Sequence, residues 1–185
     1  MSYFRDQLES YLKTLDIKAD IVFDVGGLAK PVKDRVKSWD VKDYRILDLP
    51  EYDLMQTEND NGDELTERNY FGERADIVFC LEVMEYILWP NIAVNHLGWL
   101  IKQNGFLYIS FPFVYCIHQP IESDFLRYTP NGAEKLLKNA GFEILEHNLR
   151  YGNSLLTSFY VQDRMRMAKS INHNVTGSII KARKL

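Results

Sequence analysis

Residues 21–32 read "IVFDVGGLAKPV": three apolar residues, a strand continuing to an acid at Asp24, and then a pair of glycines, Gly26 and Gly27. The first half is continuous and β-branched, the pattern of a parallel strand covered on both faces. Adjacent glycines then allow a sharp turn and let a ligand approach backbone that carries no Cβ. A strand feeding such a turn opens many cofactor-binding folds, and it is equally an ordinary strand cap. The neighbouring segments have to choose between the two.

Upstream, Phe4, Leu8, Tyr11, Leu12 and Leu15 recur at helical spacing and predict an amphipathic helix. Downstream, "PVKDRVKSW" places a proline suited to a first helical turn and predicts a short helix. "YRILDL" is a second strand closing on Asp48, and the polar stretch 51–74 is a loop in which a third strand is vestigial. "ADIVFCLEV" is a buried strand. The helical pattern after it starts at Pro90 and stops at Asn104-Gly105. "FLYISFPF" follows as a strand. "YTPNGAEKLLKNAG" is a helix with Thr129 as N-cap, Pro130 in the first turn and Ala133, Leu136, Leu137 and Ala140 facing inward.

"FEILEHNLRY" alternates as a strand, and "TGSIIKARK" closes the chain as another. Between them, "SLLTSFYVQDRMRMAKSI" reads as a helix whose Leu156, Phe159, Tyr160 and Met167 suit core packing, a homodimer contact or a substrate lid. The alternation predicts an α/β fold: a Rossmann-like, doubly wound, mostly parallel sheet with helices on both faces and an antiparallel C-terminal strand. We expect one domain over 1–185, with an N-terminal helix in 1–18, a cofactor-binding core in 20–150 and the late helix and strand in 151–185.

Composition narrows the partners. The 185 residues are 46% hydrophobic and carry a net charge of −4, which argues against a nucleic-acid partner. Neither cysteine has a CxxC neighbour, so both Cys80 and Cys116 are expected as buried thiols, with no metal site. The N-terminal stretch lacks the apolar core of a signal peptide, and no apolar run approaches the ~18–20 residues of a membrane span. The expectation is a cytoplasmic protein without a membrane partner.

Ligands of doubly wound sheets bind beyond the carboxyl ends of the strands. Asp48 ends its strand roughly 20 residues after the glycines, the spacing at which an acid reaches both hydroxyls of a ribose. A carboxylate suits that task because it offers only acceptors to two adjacent donors.

Taken in order, "VFDVGG", "RILDL", "ADIVFCLEVMEYI", "LIKQNGFLYISFPF" and "DFLRYTPNGAEKLLKNAGFEILE" resemble the class I S-adenosylmethionine-dependent methyltransferases, in the flavour of the small bacterial type 11 group. The resemblance covers about residues 20–146. It implies S-adenosyl-L-methionine as cofactor, with Asp24, Gly26, Gly27 and Leu28 in the glycine loop and Asp48 with Leu49 at the ribose. It also implies Asp63, or a neighbour in "NDNGDE", at the adenine, and Cys80, Leu81 and Glu82 along the methionine side. Tyr86 stands where many members carry histidine, and Leu28 and Lys30 stand where the family loop has its later glycines.

The run "FPFVYCIHQPIESDFLRYT" collects Tyr115, His118, Asp124, Arg127 and Tyr128 as substrate-binding candidates. It resembles a run found in methyltransferases that modify sugars and polysaccharides, which implies a small-molecule or glycan-type methyl acceptor. His118 is the candidate catalytic base, its free pKa lying near neutrality. Two other readings stay open: a non-catalytic module with this fold, and an NAD-dependent oxidoreductase, which lacks its GxGxxG here.

Overall fold

In a computed structural model of the chain, residues 3–58, 61–67, 72–117, 119–152 and 175–185 are described. Six strands form one sheet: β1 (Asp16–Val25), β2 (Ser38–Leu47), β3 (Ala75–Cys80), β4 (Ile101–Pro112), β5 (Phe142–Tyr151) and β6 (Val175–Lys184). Their order is β2-β1-β3-β4-β6-β5. β1 pairs parallel with β2 and β3, and β3 parallel with β4. β6 runs antiparallel to both β4 and β5. The mostly parallel α/β sheet and the antiparallel closing strand follow the sequence reading.

Successive residues of the central strands feed opposite faces. Phe23, Val25, Val78, Cys80, Leu107 and Ile109 pack under α2 (Pro90–Leu100) and α3 (Pro130–Asn139). Val22, Ile77, Phe79 and Tyr108 pack under α1 (Tyr3–Leu12), through Leu8 and Leu12. That burial explains why the second half of β1 and residues 77–80 of β3 read as apolar runs. In α3, Thr129 Oγ1 accepts the Gly132 N–H at 3.1 Å, and Ala133 and Leu137 are buried.

Three expectations need correcting. "PVKDRVKSW" forms only a 3-10 turn, Lys33–Arg35, before β2 begins at Ser38. The crossover 26–37 is near the dozen-residue minimum for parallel strands, and the glycine turn takes its first part. The helix starting at Pro90 ends at Leu100, because Ile101 already pairs with Ala75 in the sheet. Asn104, at φ 64, and Gly105 mark an irregularity inside β4 instead, where the register slips between Ala75 and Ile77. Cys116 is exposed, since β4 stops at Pro112 and leaves it in a loop, while Cys80 is buried.

Among the described residues of 48–74 there is no strand, only an isolated bridge between Glu58 and Glu64. The helix expected across 154–171 lies outside the described residues. No described helix is long and apolar enough to cross a membrane. Replacing the α3 cap, Thr129→Ala, should cost about 1 kcal/mol. Urea unfolding checks this: the midpoint should fall while the slope stays constant.

Candidate active site

A cavity of about 660 Å³ opens at the carboxyl ends of β1, β2 and β3. Small-molecule sites span roughly 300–1,000 Å³. Its wall takes Gly26 and Gly27 from the turn after β1, and Asp48 and Leu49 from the end of β2. Leu81 and Glu82 come from the end of β3, and Arg5 and Leu8 from α1.

The glycine turn is set by its own neighbours. Gly26 has φ +75, and a Cβ there would fall on a Val83 methyl. Its N–H donates to the Leu47 carbonyl at 2.9 Å, stitching the turn to β2. A Cβ on Gly27 would fall on the Asp24 carboxylate. Asp24 is 3% exposed, and its Oδ2 accepts the Val32 N–H at 2.7 Å and the Tyr44 hydroxyl at 2.6 Å. Burial raises its pKa, against the opposing pull of the Tyr44 and Val32 hydrogen bonds. Gly27 is therefore required by the carboxylate it covers.

Leu28 turns its side chain outward, 66% exposed, and sends its N–H to Asp48 Oδ2 at 3.0 Å. The Leu49 N–H reaches Asp48 Oδ1 at 2.9 Å. A carboxylate has about four acceptor sites, so each oxygen keeps one for a ligand hydroxyl. The Lys30 ammonium pairs with Glu9 of α1. Arg35 holds the same carboxylate through Nε at 3.1 Å and Nη2 at 2.9 Å. Burial pushes Glu9 up, but Arg35 and Lys30 outweigh it and hold the carboxyl below its usual range.

Glu82 adopts φ 58, a left-handed conformation uncommon outside glycine. Its N–H donates to Ser110 Oγ at 2.8 Å, and the Ser110 hydroxyl returns a bond to Glu82 Oε1 at 2.7 Å. Arg150 Nη2 donates to the same oxygen at 2.7 Å. Cys80 is fully buried behind this wall, where burial pushes its thiol pKa up. Asp63 is exposed and does not line the cavity; Tyr52, Asp53, Leu54 and Met55 do.

The segment after β4 builds a loop. Asp124 pairs with Arg127, whose guanidinium also donates to the carbonyls of Tyr115 at 3.4 Å and Cys116 at 3.1 Å. Tyr128 is buried, with its hydroxyl on the Met84 carbonyl at 3.0 Å. The Glu85 carbonyl accepts the N–H groups of Phe125 and Leu126. Tyr115 stacks on Phe4 with ring centroids 4.5 Å apart. None of Tyr115, Asp124, Arg127 and Tyr128 lines the cavity; Pro120, Ser123 and Phe125 are the residues of this loop that do. His118 lies outside the described residues. Sequence reasoning passed over Tyr52–Met55 and the loop residues because neither stretch has periodicity. Their position just past a strand end was the only signal.

No family model and no curated protein sequence matches the chain. Solved structures do. The N-methyltransferase NodS from Bradyrhizobium japonicum WM9, in complex with S-adenosyl-L-homocysteine, superposes with a TM-score of 0.61 at 12% identity, covering 98% of this chain and 87% of that one. An S-adenosylmethionine-dependent methyltransferase from Mesorhizobium loti gives 0.56 at 12%, covering 99% and 98%. The [4+2]-cyclase SpnF gives 0.57 at 14%, covering 97% and 80%. The chain has the class I methyltransferase fold. Within that fold the cavity lies at the carboxyl end of the sheet, where strands β1, β2 and β3 finish.

Two outcomes are expected. Gly27→Ala overpacks the Asp24 carboxylate and should cost about 1–3 kcal/mol in urea unfolding. Glu85 is buried, and burial first, then the nearby Glu82 charge, raises its pKa to about 7. The folded protein therefore holds a proton that the unfolded chain has lost above the ordinary value of 4.5. Its contribution to stability is full below that value and falls as pH rises through 7. His96, whose pKa burial lowers, works in the opposite direction below about 6.5. The difference between wild type and Glu85→Gln isolates the carboxyl, and the variant should lose less stability than wild type between pH 5 and pH 8.

Proposed function

We propose that this protein is an S-adenosylmethionine-dependent methyltransferase acting on a small molecule or a sugar or polysaccharide precursor. The observation carrying this reading is the Asp48 carboxylate. It ends β2, joins the wall of the cavity, anchors the glycine loop through the Leu28 amide and keeps free acceptor sites. Those sites fit the paired hydroxyls of a ribose, and the cavity volume fits a ligand of cofactor size. Of the departures from the family's loop, Leu28 faces solvent, and Lys30 stands in the cavity wall with its ammonium engaged by Glu9.

When bound, S-adenosylmethionine supplies a methyl group already activated by its positively charged sulfur. Asp48 would hold the ribose, and the backbone of Gly26 and Gly27 would hold the amino-acid portion. Leu81 and Glu82 wall the same side. Tyr52, Leu54, Met55 and Ile87 add apolar surface that excludes water, so alignment does most of the catalytic work. Asp63 and Cys80 take no ligand contact in this reading. Tyr115, Asp124, Arg127 and Tyr128 shape the acceptor loop, which presents Pro120, Ser123 and Phe125 to the acceptor. The role of His118, accepting the acceptor's proton on an imidazole nitrogen, rests on its sequence position after β4.

Calorimetric titration with S-adenosylhomocysteine, S-adenosylmethionine and NAD tests this. The first two should bind and NAD should not; the reverse would overturn the proposal. Asp48→Ala should weaken S-adenosylhomocysteine at least tenfold, about 1.4 kcal/mol. Unchanged affinity would refute the ribose assignment.

A further inference from the structure

Arg150 stands at the carboxyl end of β5 and is 1% exposed. Arginine is almost never buried so deeply without a full set of partners. Its Nη2 has one acceptor, Glu82 Oε1, which the Ser110 hydroxyl also uses. Its Nε and Nη1 find no hydrogen-bond acceptor among the described residues. The Phe4 ring lies over the guanidinium, 3.4 Å from carbon to ring centroid. A ring face compensates the charge but gives the N–H groups no lone pair of ordinary strength.

Unspent buried donors in a native protein call for an explanation, and a ligand is one. The place favours a ligand. Ligands of open α/β sheets bind beyond the carboxyl ends of the strands, and β5 ends on the same edge as β1, β3 and β4. Glu82 touches Arg150 and also lines the cavity, as does Arg5, the next residue after Phe4. The Glu82 carboxylate thus links the guanidinium to the cavity wall, while the Phe4 ring covers one of its faces. Phe4 fits there because residue 177 is glycine; a Cβ at that position would meet the ring at 2.9 Å.

We propose that Arg150 is a carboxylate-binding residue of this site, capped by Phe4 until the ligand displaces the ring. A guanidinium is the side chain suited to a planar oxyanion, and its free Nε–H and Nη1–H groups are the donors such a group requires. The inference rests on the methyltransferase reading only for the carboxylate's owner. That owner is either the methyl acceptor or the amino-acid end of the cofactor.

Calorimetry distinguishes the sources with three probes: succinate, S-adenosylhomocysteine, and 5′-methylthioadenosine, which lacks the carboxylate. If the acceptor supplies it, Phe4→Ala saturated with S-adenosylhomocysteine binds succinate about tenfold tighter than wild type. The double variant Phe4→Ala/Arg150→Met then loses succinate, while S-adenosylhomocysteine affinity in Arg150→Met stays within about twofold of wild type. If the cofactor supplies it, Arg150→Met weakens S-adenosylhomocysteine at least tenfold and leaves methylthioadenosine unchanged. Binding of succinate and S-adenosylhomocysteine that is indifferent to both substitutions overturns the proposal. Should S-adenosylhomocysteine fail to bind wild type, the methyltransferase reading falls. The succinate titrations, run without it, still decide the role of Arg150. Circular dichroism reports whether Arg150→Met folds. If it does not, Phe4→Ala decides alone, since it keeps the Glu82 pair: no gain in succinate affinity and unchanged S-adenosylhomocysteine affinity overturn the role.

Discussion

The Asp24 carboxylate lies beneath Gly27 and takes the Val32 amide and the Tyr44 hydroxyl on one oxygen. Burying a carboxylate is costly unless hydrogen bonds replace the lost water. Here the replacements come from two different elements. Val32 lies within the crossover and Tyr44 belongs to β2, so the carboxylate ties the end of β1 to both. That tie substitutes for a helix. The crossover holds only a 3-10 turn, too little structure to fix the glycine loop by packing alone.

Helix α1 then locks the same loop from outside. Glu9 gathers Lys30 and Arg35 on one mostly buried carboxylate, and Arg35 returns a bond to the Lys30 carbonyl at 3.0 Å. At the other edge strand of the sheet, Gln7 exchanges two hydrogen bonds with the backbone of Tyr151, at 2.7 and 2.8 Å. One short helix thus bridges the loop after β1 and the end of β5, and its Arg5 and Leu8 join the cavity wall. A helix of ten residues is marginal alone, so these contacts and the burial of Leu8 and Leu12 are what hold it.

The sheet was legible because burial on both faces writes itself into composition. The second half of β1, residues 77–80 of β3 and the second half of β4 are largely apolar runs of strand length. Local signals were read less well where tertiary pairing overrides them. Asn104-Gly105 does mark a break, but the sheet had already claimed Ile101, so the break falls inside a strand. In the site, acids and glycines at strand ends could be found by spacing, and Gly26, Gly27, Asp48, Leu81 and Glu82 all reach the cavity wall. The loop after β4 is harder to read for a physical reason. Polar and aromatic residues in a long loop are as useful for satisfying backbone carbonyls as for meeting a ligand: Arg127 donates to the Cys116 carbonyl and Tyr128 to the Met84 carbonyl. Arg150 sat inside an ordinary strand pattern, and nothing in sequence marks an arginine as buried.

Gly27 shows how a motif can be kept for one reason and read for another. The family's glycine loop suggests bare backbone awaiting a ligand, yet here the second glycine is demanded from below, by Asp24. At the positions of the later glycines, Leu28 turns to solvent, and Lys30, in the cavity wall, is held by Glu9. What the loop must preserve is an amide at position 28 aimed at Asp48, and any residue supplies an amide. The end of β1 therefore keeps its loop geometry with other residues in place of those glycines. A fold does not dictate chemistry, and a cyclase shares this one with methyltransferases. What is particular to this chain is the end of the sheet around Glu82, where a left-handed backbone, a buried guanidinium and an aromatic ring meet.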